Sequence, residues 1–335
     1  MIVLGIETSC DDTALALFST DQGIIGELTA NQLVHEKYGG VVPEVASRAH
    51  MQNLLPVFNA LLSKTDRPVS DIDGIGVSNG PGLVGSLLVG VSFAKALAFA
   101  LGRAVVGVHH VEAHIMSNEL GGQRLRTPAI VLVVSGGHTC LYKMETVGRY
   151  ELVGNTRDDA AGEAFDKIAK LLDLGFPGGP AIERAAKTGD PAAVDFPRAM
   201  MKQDNFDFSF SGLKTAVRLH VERQTSPTPQ TISDIAASAQ EAIVDALVQK
   251  TVACAAKHDV SQVYLAGGVA ANDRLRRKLS RESERIGLTC HAPLIRYCTD
   301  NGAMIACAAA KHLARGRDDG LGLDVFTRGP VLSWI

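Results

Sequence analysis

Apolar positions along the chain fall into two kinds of run. Short unbroken runs closed by polar or glycine-bearing turns predict strands, and longer runs with apolar residues every three or four positions predict helices. On that basis residues 2–6, 14–18 and 24–29 read as three successive strands, the first two joined by Thr8-Ser9-Cys10-Asp11-Asp12-Thr13. A helix opens within YGGVVPEVASRAH (38–50) and runs to about residue 63. A strand at 74–78 is broken by Asn79-Gly80-Pro81-Gly82, and an apolar helix at 83–101 follows. A short strand at 105–108 then passes directly into a helix pattern carrying His110 and His114.

The second half restarts the pattern with a strand at 129–135, the turn Gly136-Gly137-His138 and a strand at 139–144. Helices are expected at 160–173 and 181–188, separated by Phe176-Pro177-Gly178-Gly179-Pro180, and residues 189–231 read as irregular. A long helix at 232–258, a strand at 262–266 ended by Gly267-Gly268, a helix from Ala271 and a helix at 303–314 complete the chain. VLGIETSCDDTALALF and IVLVVSGGHTCLYKM share the order strand, small polar turn, strand, which predicts a weak internal duplication. No linker is evident. The expected organisation is two lobes, 1–125 and 126–335, around a shared cleft, with the helix near 303–314 packing back on the first.

Composition narrows this picture. A chain of 335 residues with 46% apolar residues holds a full core, and its net charge of −3 gives no global field for nucleic acid, so any such binding needs a local patch or a partner. Cysteines 10, 140, 254, 290, 298 and 307 form no Cys-x-x-Cys pair, which fits a reducing compartment. The chain enters a strand at once, without the pattern of a signal peptide. The longest apolar run, 83–101, carries Lys95 and two serines and reads as a buried helix rather than a membrane span. A soluble cytoplasmic protein is the expectation.

Candidate chemistry starts with His110 and His114. Four residues apart on a helix, they project from one face and can present two nitrogens to one metal ion; the same spacing also occurs as a capping or core detail. Asp300, just ahead of a predicted helix, reads either as a cap or as the carboxylate completing a His-His-Asp site with open positions for substrate. Asp11 and Asp12 form either a solvated turn or a cleft-facing general base or outer-shell metal partner. Ser135-Gly136-Gly137-His138 and Gly267-Gly268 can bring backbone N–H groups close to an anion, and neither matches a dinucleotide or P-loop fingerprint. Glu163 and Asp166 lie among small residues on one predicted helix, and the basic helix NDRLRRKLSRESER is the best local candidate for phosphate contacts.

Taken together, GIETSCDDT, YGGVVPEVASRAH, NGPGLVGSLLVG, HHVEAH, VSGGHT, DDAAGEAFDK, PGGP, FSFSGLKTA, AGGVAANDRL and TDNGAMIA resemble, in order and over nearly the whole chain, the tRNA N6-adenosine threonylcarbamoyltransferases. These are the bacterial TsaD proteins, with archaeal and eukaryotic relatives in the KEOPS complex. The resemblance implies an α/β actin/Hsp70/sugar-kinase-like fold of two duplicated lobes around a central cleft. It implies transfer of a threonylcarbamoyl group from threonylcarbamoyl-AMP to the adenosine beside the anticodon, in tRNAs reading codons that begin with A. Carried over by position, His110, His114 and Asp300 would bind one divalent metal, iron first and zinc second. Val134, Ser135, Gly136, Gly137, His138, Asp166, Gly179 and Asn272 would hold the adenylate, with Glu183 as a weaker ribose contact and Asp11 as the turnover residue. Asp12 departs from the family's frequent glutamate. The implied partners are tRNA, a TsaB-like paralogue and a TsaE-like ATPase, with a homodimer in isolation and no membrane.

Two rival readings share features with this one. A metallopeptidase uses the same histidine spacing, but Glu112 stands second after His110, on a different helical face from the base of H-E-x-x-H. A kinase or ATPase of the same fold class would consume ATP instead of an adenylate.

Overall fold

The computed structural model describes residues 1–201, 203–224 and 226–334. Lys202 and Thr225, within the stretch expected to be irregular, and Ile335, at the end of the expected second lobe, lie outside the described residues. The chain divides into two compact units, one of residues 1–125 and 299–331, the other of residues 126–298 and the terminal segment from Leu332.

In the first unit β1 (Ile2–Glu7), β2 (Thr13–Ser19) and β3 (Gly23–Ala30) form an antiparallel meander. The chain then passes through α1 (Pro43–Thr65), β4 (Gly74–Gly80), α2 (Val84–Leu101) and β5 (Ala104–His109), adding two parallel strands. The sheet order is β3-β2-β1-β4-β5. Helix α3 (His110–Met116) begins where β5 ends.

The second unit repeats the plan. An antiparallel meander of β6 (Ala129–Val134), β7 (Thr139–Thr146) and β8 (Arg149–Asn155) leads into α4 (Ala161–Leu171), α5 (Gly178–Ala186), α6 (Ser211–Glu222) and α7 (Pro229–Lys257). Parallel strands β9 (Gln262–Ala266) and β10 (Thr289–His291), joined by α8 (Asp273–Glu284), complete a sheet of order β10-β9-β6-β7-β8. Read from the meander edge, both sheets run third, second, first, fourth, fifth strand, so the duplication suggested by the two strand–turn–strand openings is present in the topology. The last helix, α9 (Gly302–Leu313), belongs to the first unit.

Strand alternation explains how α9 is received. Leu4 and Ile6 of β1 point into the core shared with Leu54, Phe58 and Leu61 of α1 and Val91, Ala94 and Ala98 of α2. Gly5 points the other way, where a Cβ would lie 2.2 Å from the Gly302 carbonyl oxygen, and at its registered neighbour Gly76 a Cβ would lie 2.2 Å from Ala309 Cβ. Two missing side chains on adjacent strands and an alanine-rich helix thus let α9 lie close against the sheet. Period-two alternation then puts Glu7, at the end of β1, on this same face.

Among the described residues α2 is the one helix long and apolar enough to cross a membrane. It packs on β4 and α1 with Leu87, Val91, Ala94 and Ala98 in the core, and Lys95 Nζ donates to the Leu323 carbonyl (2.9 Å). It is a core helix of a globular unit.

The structure departs from the sequence expectation in several places. The stretch 189–231 is not wholly irregular, because Ser211–Glu222 forms α6 and buries Leu213 and Val217 one turn apart. The helix expected from Ala271 starts at Asp273, and residues 268–271 form a 3-10 turn. Strands β8 and β10 were not anticipated: β8 is an edge strand with mostly half-buried or exposed positions, and β10 has 3 residues.

Candidate functional site

Helix α3 is set by its own sequence. His109 is its cap, with Nδ1 accepting the Val111 N–H (3.2 Å) and Nε2 bonding the Gly329 carbonyl (3.2 Å). The helix proper therefore begins at His110. His110 and His114 share one face, with ring centroids 4.6 Å apart and planes at 84°. Asn301 caps α9, its Oδ1 accepting the Met304 N–H (2.8 Å), so the capping alternative for Asp300 falls to its neighbour. The Asp300 carboxylate is left for the histidines: Oδ1 lies 3.1 Å from His114 Nε2 and 3.6 Å from His110 Nε2.

These three residues lie in one unit, and one ligand atom from each falls within 4.8 Å of the others. The donor set fits a divalent metal on its chemistry: two imidazoles and a carboxylate satisfy iron or zinc and leave coordination positions open. His114 Nδ1 is also buried without a hydrogen-bond partner among the described residues, an unusual state for a core imidazole.

The surroundings favour a cation. Glu7, fully buried, places Oε2 3.0 Å from His110 Nδ1, and Ser9 Oγ lies 3.1 Å from the same nitrogen. Burial works against a charge on His110, but the Asp300 and Glu7 carboxylates raise its pKa to about 9. Burial pushes the Asp12 carboxyl up to about 7, opposed by the Asn31 amide at 2.7 Å and reinforced by Asp11, Asp300 and Glu7. Burial first, then Asp11 and Asp300, push the Cys10 thiol up as well. The first turn, with the predicted Asp11, therefore lies within electrostatic reach of Asp300. The turn is fixed from α1 by His50, whose Nδ1 lies 2.8 Å from Thr13 Oγ1 and Nε2 3.0 Å from the Cys10 carbonyl.

The predicted adenylate residues are collected in the other unit. The Ser135 N–H donates to the His138 carbonyl (2.8 Å) and the His138 N–H to Ser135 Oγ (3.1 Å), closing a tight turn after Val134. Among the described residues nothing lies within 4 Å of where a Cβ would stand on Gly136, Gly137, Gly179 or Gly268. Gly267 adopts φ +90°, and a Cβ there would lie 2.4 Å from the Val134 carbonyl oxygen, so two glycine turns meet at the end of β6. Gly162 of α4 donates to the Ser135 carbonyl (3.2 Å). One turn on, Asp166 Oδ1 accepts the Gly178 N–H (2.7 Å); burial raises its carboxyl pKa while that bond lowers it. Glu183 Oε1 accepts the Asp273 N–H (2.9 Å). Asn272 is buried and caps α8, its Oδ1 accepting the Leu275 N–H (2.9 Å) and its Nδ2 donating to Gln240 Oε1 (2.9 Å). Asp166, Glu183 and Asn272 thus order the backbone around the turns.

The basic helix is mostly occupied within the chain. Arg274 and Lys278 bind Glu241, Lys278 also binds Asp245, and Arg276 donates to the carbonyls of Ala270 and Pro293. Arg277 pairs with Asp273, and Arg281 and Arg285 with Glu282, on the surface. Glu112, the residue of the peptidase reading, is turned away from the metal face and pairs with His312 at 3.1 Å. Sequence reasoning missed Glu7, Ser9 and His312; the signal for Glu7 was a carboxylate ending an otherwise apolar strand.

The profile described as TsaD: tRNA N6-adenosine threonylcarbamoyltransferase matches residues 23–307. The chain is 48% identical over 336 residues to the tRNA N6-adenosine threonylcarbamoyltransferase of Ralstonia pickettii, covering 98% of this chain and 97% of that protein. It is 47% identical over 329 residues to the protein of the same description from Fervidobacterium nodosum, with 97% of each chain covered. Among solved structures, T. kodakarensis HypF aligns with a TM-score of 0.64 at 16% identity, over 94% of this chain and 48% of that one. Component A of the (R)-2-hydroxyglutaryl-CoA dehydratase of Acidaminococcus fermentans aligns with a TM-score of 0.54 at 15% identity, over 94% of this chain and 99% of that one. These two share the fold alone.

Proposed function

The chain belongs to the TsaD family of tRNA N6-adenosine threonylcarbamoyltransferases, enzymes that transfer a threonylcarbamoyl group to tRNA with the help of a metal, and on that premise we propose how its residues divide the work. His110, His114 and Asp300 hold one divalent ion, iron in preference to zinc. The convergence of both Nε2 atoms on Asp300 Oδ1 is the observation that carries this reading. The donor is threonylcarbamoyl-AMP, and the acceptor is N6 of the adenosine beside the anticodon in tRNAs reading ANN codons.

The acceptor chemistry explains the need for activation. An exocyclic adenine amine is a poor nucleophile because its lone pair is delocalised into the ring. A bound divalent ion supplies Lewis-acid polarisation of the carbamoyl oxygen or anchorage of the threonyl carboxylate. Asp11 takes the amine proton. The amides of Gly136, Gly137, Gly179 and Gly268 receive the phosphate of the leaving AMP, which stabilises its charge, while those of Ser135, His138 and Gly178 are spent on closing the turns. Asp166, Glu183 and Asn272 keep those turns in shape through the bonds to Gly178, Asp273 and Leu275.

With a net charge of −3 and most of the α8 cations paired internally, tRNA binding draws on partners. A TsaB-like paralogue and a TsaE-like ATPase fill that role in our reading, in the cytoplasm. Exposed Val84 and Leu88 on α2, with Met51 and Leu55 on α1, support a protein partner, since apolar residues spaced in this way on neighbouring helices favour being covered. The test is incubation with threonylcarbamoyl-AMP, tRNA and both partners, with and without chelator, followed by nucleoside analysis. Modified adenosine that forms only without chelator is expected; equal formation in both removes the metal from the reading.

A further inference from the structure

The end of β1 is held unusually firmly for a strand entering a turn. The Thr8 N–H donates to Ser78 Oγ (3.2 Å) and Thr8 Oγ1 to the Ser86 carbonyl (3.0 Å). A Cβ on Gly90 would stand 2.3 Å from Thr8 Oγ1, so α2 lies close because that side chain is missing. Glu7, on the α9 side of the strand, is 0% exposed, and both its oxygens are engaged. Oε1 accepts the Ser9 N–H (2.5 Å), and Oε2 lies 3.0 Å from His110 Nδ1.

The polarity of these bonds follows from the groups themselves. A backbone N–H only donates, so Oε1 must accept. An ionised carboxylate only accepts, so His110 Nδ1 must carry a proton to bond Oε2. Metal ligation then falls to Nε2, the nitrogen already aimed at Asp300 Oδ1 (3.6 Å). We propose that Glu7 is a positioning residue of the metal centre, fixing the His110 proton on Nδ1 and so presenting the Nε2 lone pair toward His114 and Asp300. The inference rests on the metal reading above and adds a residue to it. Glu7 touches no reacting atom; it acts through His110, as a carboxylate behind a metal-bound imidazole does by fixing tautomer and ring orientation.

Glu7→Gln tests this because it keeps the shape and reverses one bond. The Ser9 N–H still needs an acceptor, so the amide oxygen takes the Oε1 position and the NH2 group faces His110 Nδ1. That nitrogen must then accept, which moves the ring proton to Nε2 and blocks ligation. The probe is Zn2+ alone. The expected result is a 10- to 100-fold weaker Zn2+ affinity, about the usual cost of losing such a partner, with far-UV circular dichroism and cooperative unfolding in chelator retained. Wild-type affinity in a folded Glu7→Gln protein overturns the proposal, since a carboxylate that merely fills space is replaced by its isostere without loss. The second measurement needs no variant: ring 15N resonances of His110 in the Zn2+-loaded wild type. A proton on Nδ1 and metal on Nε2 supports the proposal, and ligation through Nδ1 overturns it even if Glu7→Gln does not fold. A wild-type chain that binds no Zn2+ removes the metal reading and this inference together, whereas normal binding through Nδ1 removes this inference alone.

Discussion

His312 Nε2, on α9, lies 3.1 Å from Oε2 of Glu112, on α3, and both side chains are almost fully buried. Helix α3 carries the two histidines of the candidate metal cluster, and α9 begins two residues after Asp300. The pair therefore ties together the two elements that supply the His-His-Asp cluster, from the side of α3 opposite His110 and His114. Glu112 is thus absorbed by helix packing, which leaves the peptidase reading without its base. Glu112→Ala should destabilise the protein by about 1–3 kcal/mol, the scale for leaving a buried hydrogen-bonding group without its partner. Adding His312→Ala should recover part of that loss, giving a coupling above about 1 kcal/mol in a double-mutant cycle. Simple additivity in urea denaturation would show that the two side chains do not act as a pair.

His110→Ala removes one of the two nitrogen ligands proposed for the metal while leaving the sheet and both core faces untouched. Bound metal and transfer should be lost, with the far-UV circular dichroism of the wild type retained. Metal content by elemental analysis and nucleoside analysis of tRNA read the two losses separately. Transfer by a folded, metal-free variant contradicts the assignment.

Much of this arrangement was readable in the sequence for identifiable reasons. Strands β1, β2, β4 and β6 and the entry into α3 are short apolar runs bounded by polar or glycine turns, the pattern that alternation and burial impose. His110 and His114 were visible because helical spacing alone puts them on one face. Asp300 was ambiguous because Asp300 and Asn301 are both good caps, and only the fold shows Asn301 bonding Met304. Glu7 and His312 could not be placed because their partners are 103 and 200 residues away in sequence, and no local periodicity encodes such a contact. Edge strand β8 was missed since, with one side open, it needs little apolar patterning.

The raised pKa of His110 gives the metal-free protein a pH signature. Against burial, Asp300 and Glu7 carry the folded-state value to about 9, above the roughly 6.5 of an exposed histidine. The stabilisation is therefore fully present below about pH 6.5 and is lost as pH rises through about 9, by an upper bound of about 3 kcal/mol. Urea midpoints in chelator should fall over that window for the wild type and stay flatter for His110→Ala. Metal binding has the opposite slope, because the ion displaces a proton: Zn2+ affinity should rise up to about tenfold per pH unit between 7 and 9. A pH-independent Zn2+ affinity would mean that His110 gives up no proton on binding.

Gly302 links the fold to the site through steric contact alone. A Cβ there would stand 2.5 Å from the Leu15 carbonyl carbon and the Ala16 nitrogen of β2, two residues after Asp300. Gly302→Ala must push the start of α9 off the sheet. The expected cost is roughly 1–3 kcal/mol of stability, the range of overpacked core sites. Zn2+ affinity should weaken as well, because Asp300 moves with the helix. Gly179→Ala, with nothing within 4 Å of its Cβ position, is the matched control and should leave stability and Zn2+ affinity unchanged.

Asn272 separates a structural role from a binding role. Its Oδ1 caps α8 at Leu275 and its Nδ2 bonds Gln240, so fold stability alone accounts for an asparagine there. Asn272→Ala should cost about 1–2 kcal/mol through the lost cap. Asn272→Asp keeps an acceptor for the Leu275 N–H and suits a helix N-terminus, and its second oxygen can accept from Gln240 once that amide turns its Nε2 inward, so its stability should lie within about 1 kcal/mol of the wild type. The same substitution replaces an amide donor with a negative charge beside the turns assigned to the adenylate. If Asn272 also contacts that ligand, Asn272→Asp should weaken threonylcarbamoyl-AMP binding by tenfold or more, measured by equilibrium binding with a non-hydrolysable analogue. Undiminished binding in a protein of near-native stability would make Asn272 a helix cap and nothing more, and would leave the glycine amides to hold the nucleotide without it.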